Sequence, residues 1–129
     1  SDGRYTAFNL QAILGLSLAP LTWLMGVNWA DAALVGQLLG EKTILNEFYA
    51  YVTLGNLIET GALTNVKSQV MATYILCGFA NFASIGIQIG GIGTLAPHRR
   101  SDLSKLGFRA LVGGTVASLF TAVLVGLFY

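Results

Sequence analysis

The stretch Cys77-Gly-Phe-Ala-Asn-Phe-Ala-Ser-Ile-Gly86 places Asn81 and Ser84 in the middle of an apolar run. From Val70 to Leu95 the 26 residues include no Asp, Glu, Lys, Arg or His. As a helix that run measures roughly 39 Å at about 1.5 Å per residue, enough to cross a hydrocarbon core of about 30 Å. Polar groups near the centre of such a span are costly unless they face protein, water or a ligand. Any function is therefore sought here first.

The composition agrees with a membrane setting. The 129 residues are 54% hydrophobic and 10% charged, against about 25% charged in a typical soluble domain. The net charge of +1 gives none of the basic surface that nucleic acid requires. The single cysteine, Cys77, has no partner for an intrachain disulfide and does not suggest a thiolate metal site. The chain opens at Ser1 with no basic stretch leading into a cleavable apolar core. It reads as a piece of a longer protein.

Five stretches follow one another. Residues 1–28 form an interfacial helix region: the polar segment 1–6 leads into an apolar stretch interrupted by Asn9, Gln11, Ser17 and Pro20, with Trp23 and Trp29 at its end. Residues 29–68 form a hairpin and connector. Asp31 sits in the first turn of a short helix, Gly40–Thr43 breaks it, and the apolar pattern resumes from Asn46-Glu47-Phe. Each arm is too short to cross alone, so the pair reads as re-entrant, with the polar stretch 55–69 as a surface connector. Residues 69–96 are a discontinuous transmembrane helix, 97–105 a basic loop, and 106–129 a final transmembrane helix with Pro97 as a stop and Ser101 as N-cap. The alternation in Ile85–Gly93 is a strand signal, but a lone strand in lipid leaves its backbone unpaired, so this segment too is assigned as helix. The fold class is all-α integral membrane.

Arg99, Arg100, Lys105 and Arg109 crowd one loop and its flank. The positive-inside rule makes loop 97–105 cytoplasmic and puts the C-terminus outside.

Glu47 is the leading candidate for chemistry. A carboxylate at membrane depth needs a partner or water, and it can accept ligand hydroxyls; the competing reading is a solvated loop acid. Asn81 and Ser84, three apart, share a helical face. Either a break between Phe79 and Ser84, eased by Gly78 and Gly86, turns them into a cavity beneath a positive half-helix end, or they only join packed helices. Phe79 and Phe82 either pack or stack on a flat ring. Gly86-xxx-Gly90 and Ala110-xxx-Gly114 suit close helix contact. His98 and Asp102 belong to the solvated loop. Among the apolar spans no paired carboxylates, zinc spacing or Ser/His/Asp set supports an enzyme.

Trp23-Leu-Met-Gly-Val27, Gly40-Glu-Lys-Thr-Ile-Leu-Asn-Glu-Phe-Tyr-Ala-Tyr51, Gly78-Phe-Ala-Asn-Phe-Ala-Ser-Ile-Gly-Ile87, Pro97-His-Arg-Arg100 and Arg109-Ala-Leu111 together resemble the C-terminal half of the concentrative nucleoside transporter family. The resemblance covers essentially the whole chain. It implies a sodium- or proton-coupled nucleoside symporter built from inverted repeats, working by an elevator-like movement in a homotrimer. This chain would be the second repeat. It implies that Glu47, Asn81 and Ser84 bind the ribose and that Phe79 lines the pocket, with Asn46 supporting Glu47. It implies no resident cofactor or metal site here: the sodium site and the nucleobase site belong to a first repeat elsewhere in the protein. The expected surroundings are an inner or plasma membrane, the nucleoside, and the remainder of the same transporter. The chemistry agrees, since sugar hydroxyls donate and accept while the carboxylate, amide and hydroxyl supply both complements. The alternatives are a channel subunit whose broken helix lines a pore, and a purely structural membrane module.

Overall fold

The computed structural model describes residues 9–129; the polar segment 1–6 lies outside them. The described residues fold into α1 (Leu10–Leu24), α2 (Trp29–Ile44), α3 (Glu47–Glu59), α4 (Val66–Cys77), α5 (Phe82–Leu95), a 3-10 turn (Pro97–Arg99) and α6 (Arg100–Gly126). Val66–Leu95, counted through its break, and Pro97–Gly126 are each long and apolar enough to cross a membrane. The all-helical architecture expected from the sequence is present, and Ile85–Gly93 is helix.

One residue type starts five of these helices. Asn9, Asn28, Asn46, Asn65 and Asn81 are the N-caps of α1 to α5, and each side chain accepts a hydrogen bond from a backbone N–H of the first turn. This satisfies one of the amides that every helix start leaves unpaired.

The core surrounds α2. Its Leu34, Val35, Leu38 and Leu39 pack with Val27, Ala50, Leu54, Leu63, Met71, Ala72, Ile75, Leu76 and Ala122. The pair α1 and α2 bends by 118° at Gly26, whose φ of +104° is strained for any residue with a Cβ. Beyond the bend the two helices lie very close: a Cβ on Gly36 would meet the Gly15 carbonyl oxygen at 2.9 Å. Thr22 Oγ1 donates to the Ala32 carbonyl at 2.7 Å. Trp23 and Trp29 meet edge-to-face at 5.9 Å. Asp31 does more than favour the helix dipole: Ser68 Oγ donates to its Oδ2 at 2.7 Å, joining α2 to α4 with both residues buried.

Several boundaries differ from the sequence reading. Gly40–Thr43 is no break: α2 runs through it to Ile44 and the turn is only Leu45 and Asn46. The four polar-looking positions are held from inside, with Glu41 and Lys42 buried and Thr43 Oγ1 donating to the Leu39 carbonyl at 2.8 Å. The connector is shorter than 55–69. Leu54 and Leu57 keep a helical face on the core, so α3 reaches Glu59, and Asn65 restarts the chain at Val66. The segment 97–105 is not a loop either. Pro97 opens a 3-10 turn and the helix is continuous from Arg100, with Arg99 and Asp102 paired at 3.0 Å and no side-chain cap from Ser101. Charged residues are good helix formers when they face outward. Of the proposed small-residue contacts, a Cβ on Gly114 would meet Ala80 Cβ at 3.2 Å, whereas nothing lies within 4 Å of a Cβ at Gly86 or Gly90.

Candidate functional site

The site lies where the α2–α3 turn meets the interruption between α4 and α5. α4 stops at Cys77 and α5 starts at Phe82, so the break is Gly78–Asn81. It ends earlier than the expected Phe79–Ser84, because the Asn81 cap already restores helix from Phe82. Gly78 is required by close approach. It turns away in an extended conformation (φ −76°, ψ 127°), and Ser118 Oγ of α6 occupies the space that a Cβ would take.

Asn81 is 2% exposed and holds the two halves of the site together. Its Oδ1 accepts from the Ser84 backbone N–H at 2.8 Å and from Ser84 Oγ at 2.9 Å. Its Nδ2 donates to Glu47 Oε1 at 2.7 Å. That bond fixes the amide orientation, since only the nitrogen can donate to a carboxylate. Glu47 is the first residue of α3, where its charge suits the positive helix end. Asn46, just before it, caps α3 by accepting from the Tyr49 N–H at 2.9 Å. Asn46 thus fixes the helix start on which Glu47 sits.

Phe79 stands in the break itself, 74% exposed. With Asn81 and Ser84 it lines a mainly apolar groove of about 730 Å³ running between α5 and α6. Glu47 does not line that groove and joins it only through Asn81. Phe82 is half exposed and outside the groove lining. The structure therefore brings Glu47, Asn81 and Ser84 into one hydrogen-bonded chain, with an aromatic face at its edge. Asn81 spends its oxygen on Ser84, leaving the Glu47 carboxylate and the Ser84 hydroxyl as the groups free to make further hydrogen bonds. Such a set matches a neutral ligand carrying adjacent hydroxyls and a flat apolar ring.

Sequence reasoning missed Lys42. It is fully buried, and its Nζ donates to the Ile75 carbonyl at 3.3 Å. A cation at a polar hairpin tip reads as solvated, and only the packing of α4 reverses that. Glu41 beside it is buried too, and Gln37 Nε2, one turn earlier on α2, donates to its Oε1 at 2.8 Å. Among the described residues, no group of His, Cys, Asp and Glu is arranged to hold a metal.

Comparison with known proteins gives the family. Residues 3–126 match the family described as Na+ dependent nucleoside transporter, C-terminus. The chain is 45% identical over 138 residues to solute carrier family 28 member 3 of Eptatretus stoutii, a match covering 98% of this chain and 20% of that protein. It is 41% identical over 133 residues to sodium/nucleoside cotransporter 1 of Rattus norvegicus, covering 94% of this chain and 20% of that protein. The structure of CNTnw in an inward-facing substrate-bound state superposes with a TM-score of 0.87 at 40% identity, over 94% of this chain and 30% of that one. The chain thus spans less than a third of the length of these relatives.

Proposed function

The chain belongs to the Na+ dependent nucleoside transporter family, matching its C-terminal region, and from that premise we propose that it supplies the sugar-holding half of a nucleoside site in a cation-coupled symporter. The observation that carries this is the Glu47–Asn81–Ser84 chain of hydrogen bonds at a helix break. In this reading the ionised carboxylate and the Ser84 hydroxyl take the ribose hydroxyls, Asn81 holds both in register, and Phe79 covers the sugar or base with its ring. A neutral nucleoside needs no cationic clamp, and none of the free groups is cationic.

The rest of the reading follows the family. The α2–α3 hairpin enters and leaves the membrane on one side, and its short non-helical turn, Leu45 and Asn46, faces the remainder of the transporter or water rather than lipid. The span Val66–Leu95 is a broken crossing of the kind that binds substrate near the midplane. Sodium or protons drive uptake from a site outside this chain, the transporter is a homotrimer in an inner or plasma membrane, residues 97–105 face the cytoplasm and the C-terminus faces out.

The test is Glu47→Gln in the full-length transporter, measured as uptake of radiolabelled uridine with surface expression monitored. The amide keeps the shape and loses the charge-assisted bonds. The expected result is a large loss of uptake at unchanged expression. Unchanged uptake kinetics would overturn the site assignment.

A further inference from the structure

The hairpin turn is fastened to both sides of the break. Lys42 and Glu47 lie on either side of Leu45 and Asn46. Lys42 reaches the end of α4 by donating to the Ile75 carbonyl, and Glu47 reaches the start of α5 by accepting from Asn81. The charges match the helix ends they meet: the ammonium faces a carbonyl end, and the carboxylate faces an amide end. Ile75 belongs to the last turn of α4, whose carbonyls lack intrahelical partners. Lys42 also sits in the last turn of its own helix, where a positive charge suits the carbonyl end. Its Nζ lies 3.6 Å from the Cβ position of Gly78, the first residue of the break.

Among the described residues no carboxylate lies within 4.0 Å of the ammonium, and the Glu47 charge acts on it through space. The ion pair within 4.0 Å among them is Arg99–Asp102. A fully buried lysine held by carbonyl oxygen rather than by a carboxylate is costly as a structural element alone.

We propose that Lys42 is a tethered cation of the site: its ammonium closes the carbonyl end of α4 at the break and, through the hairpin turn, positions Glu47 for the ligand. It is a positioning residue that touches no substrate. The proposal rests on the nucleoside-site reading above and adds to it the group that sets the carboxylate's place. The requirement is for positive charge at that point, because carbonyl oxygens that face a cation in a dry site are left unpaired by a neutral side chain.

The experiment measures equilibrium binding of radiolabelled uridine to the purified full-length transporter. The proteins are the wild type, Lys42→Met, Lys42→Ala, Lys42→Arg and Glu47→Gln. Lys42→Met keeps most of the volume and is expected to bind at least about tenfold more weakly, the range for losing a hydrogen bond to a charged group. Lys42→Ala removes the atoms of n-propylammonium, so millimolar n-propylammonium is expected to restore binding while 1-propanol does not. A merely space-filling lysine would be rescued equally by both, and that result overturns the proposal. So does wild-type affinity in Lys42→Met. If Lys42→Met is not recovered folded but Lys42→Arg folds and binds, the charge requirement stands. Failure of both to fold assigns Lys42 to packing and overturns it. Wild-type binding by Glu47→Gln sinks the nucleoside-site reading instead, whatever the lysine variants do.

Discussion

Asn81 Nδ2 and Glu47 Oε1 meet at 2.7 Å across 34 positions of sequence, so the starts of α3 and α5 share one hydrogen bond. Both helix starts are already capped by their own asparagines; the bond is therefore additional to what either helix needs. A double-mutant cycle on nucleoside binding by the full-length protein, using Glu47→Gln, Asn81→Ala and the pair, is expected to return a coupling of about 1.5–3 kcal/mol. Additive single losses would show that the two groups meet the ligand independently.

The two tasks of Asn81 can be separated. Asn81→Ser keeps an N-cap oxygen for α5 but, being shorter, withdraws the donor from Glu47, so the melting temperature should fall less than in Asn81→Ala while uptake falls steeply. Asn81→Ala removes both and should lower the melting temperature as well. Ser84→Ala, which deletes one hydroxyl but leaves the backbone N–H bond to Asn81, should be milder for uptake than Asn81→Ala. Thermal melts and initial uptake rates on the same preparations check all three.

Gly78→Ala should be destabilising by about 1–3 kcal/mol, the cost of overpacking a filled site, because Ser118 Oγ occupies the Cβ position. Ser118→Gly in the same chain should recover part of that loss. A melting series on the two singles and the double reads it, and a double no better than Gly78→Ala alone would show that the backbone at the break is at fault instead.

Asp31→Ala leaves Ser68 Oγ buried without its acceptor, a loss of about 1.5–3 kcal/mol for a hydrogen bond to a charged group. Asp31→Asn retains an acceptor oxygen and should lose less. Expression level and melting temperature are the readouts, and equal losses in the two variants would mean that charge at the start of α2 matters more than the bond.

The grouping of Glu47, Asn81 and Ser84 was more legible in the sequence than the helix boundaries were. Asn81 and Ser84 announce themselves because two polar side chains three apart interrupt an apolar run, and Glu47 because it follows an asparagine at the foot of an apolar helix. The polar stretches at 40–43, 55–59 and 100–105 read as loss of helix, yet all three are helical. Gln37, Glu41 and Thr43 bond along α2, and Arg100–Lys105 form an outward helical turn, so the backbone never leaves the helix. Neither the Asp31–Ser68 bond nor the burial of Lys42 has a local signature. Each depends on α4 arriving from more than 30 positions away, which no window of neighbouring residues contains.

That dependence bears on how the protein is made. As α2 leaves the ribosome it carries Asp31, Glu41 and Lys42, a poor candidate for partitioning into lipid by itself. Ser68 and the Ile75 carbonyl, which receive two of those groups, are translated later. The burial of those two groups is therefore completed only once α4 has been synthesised.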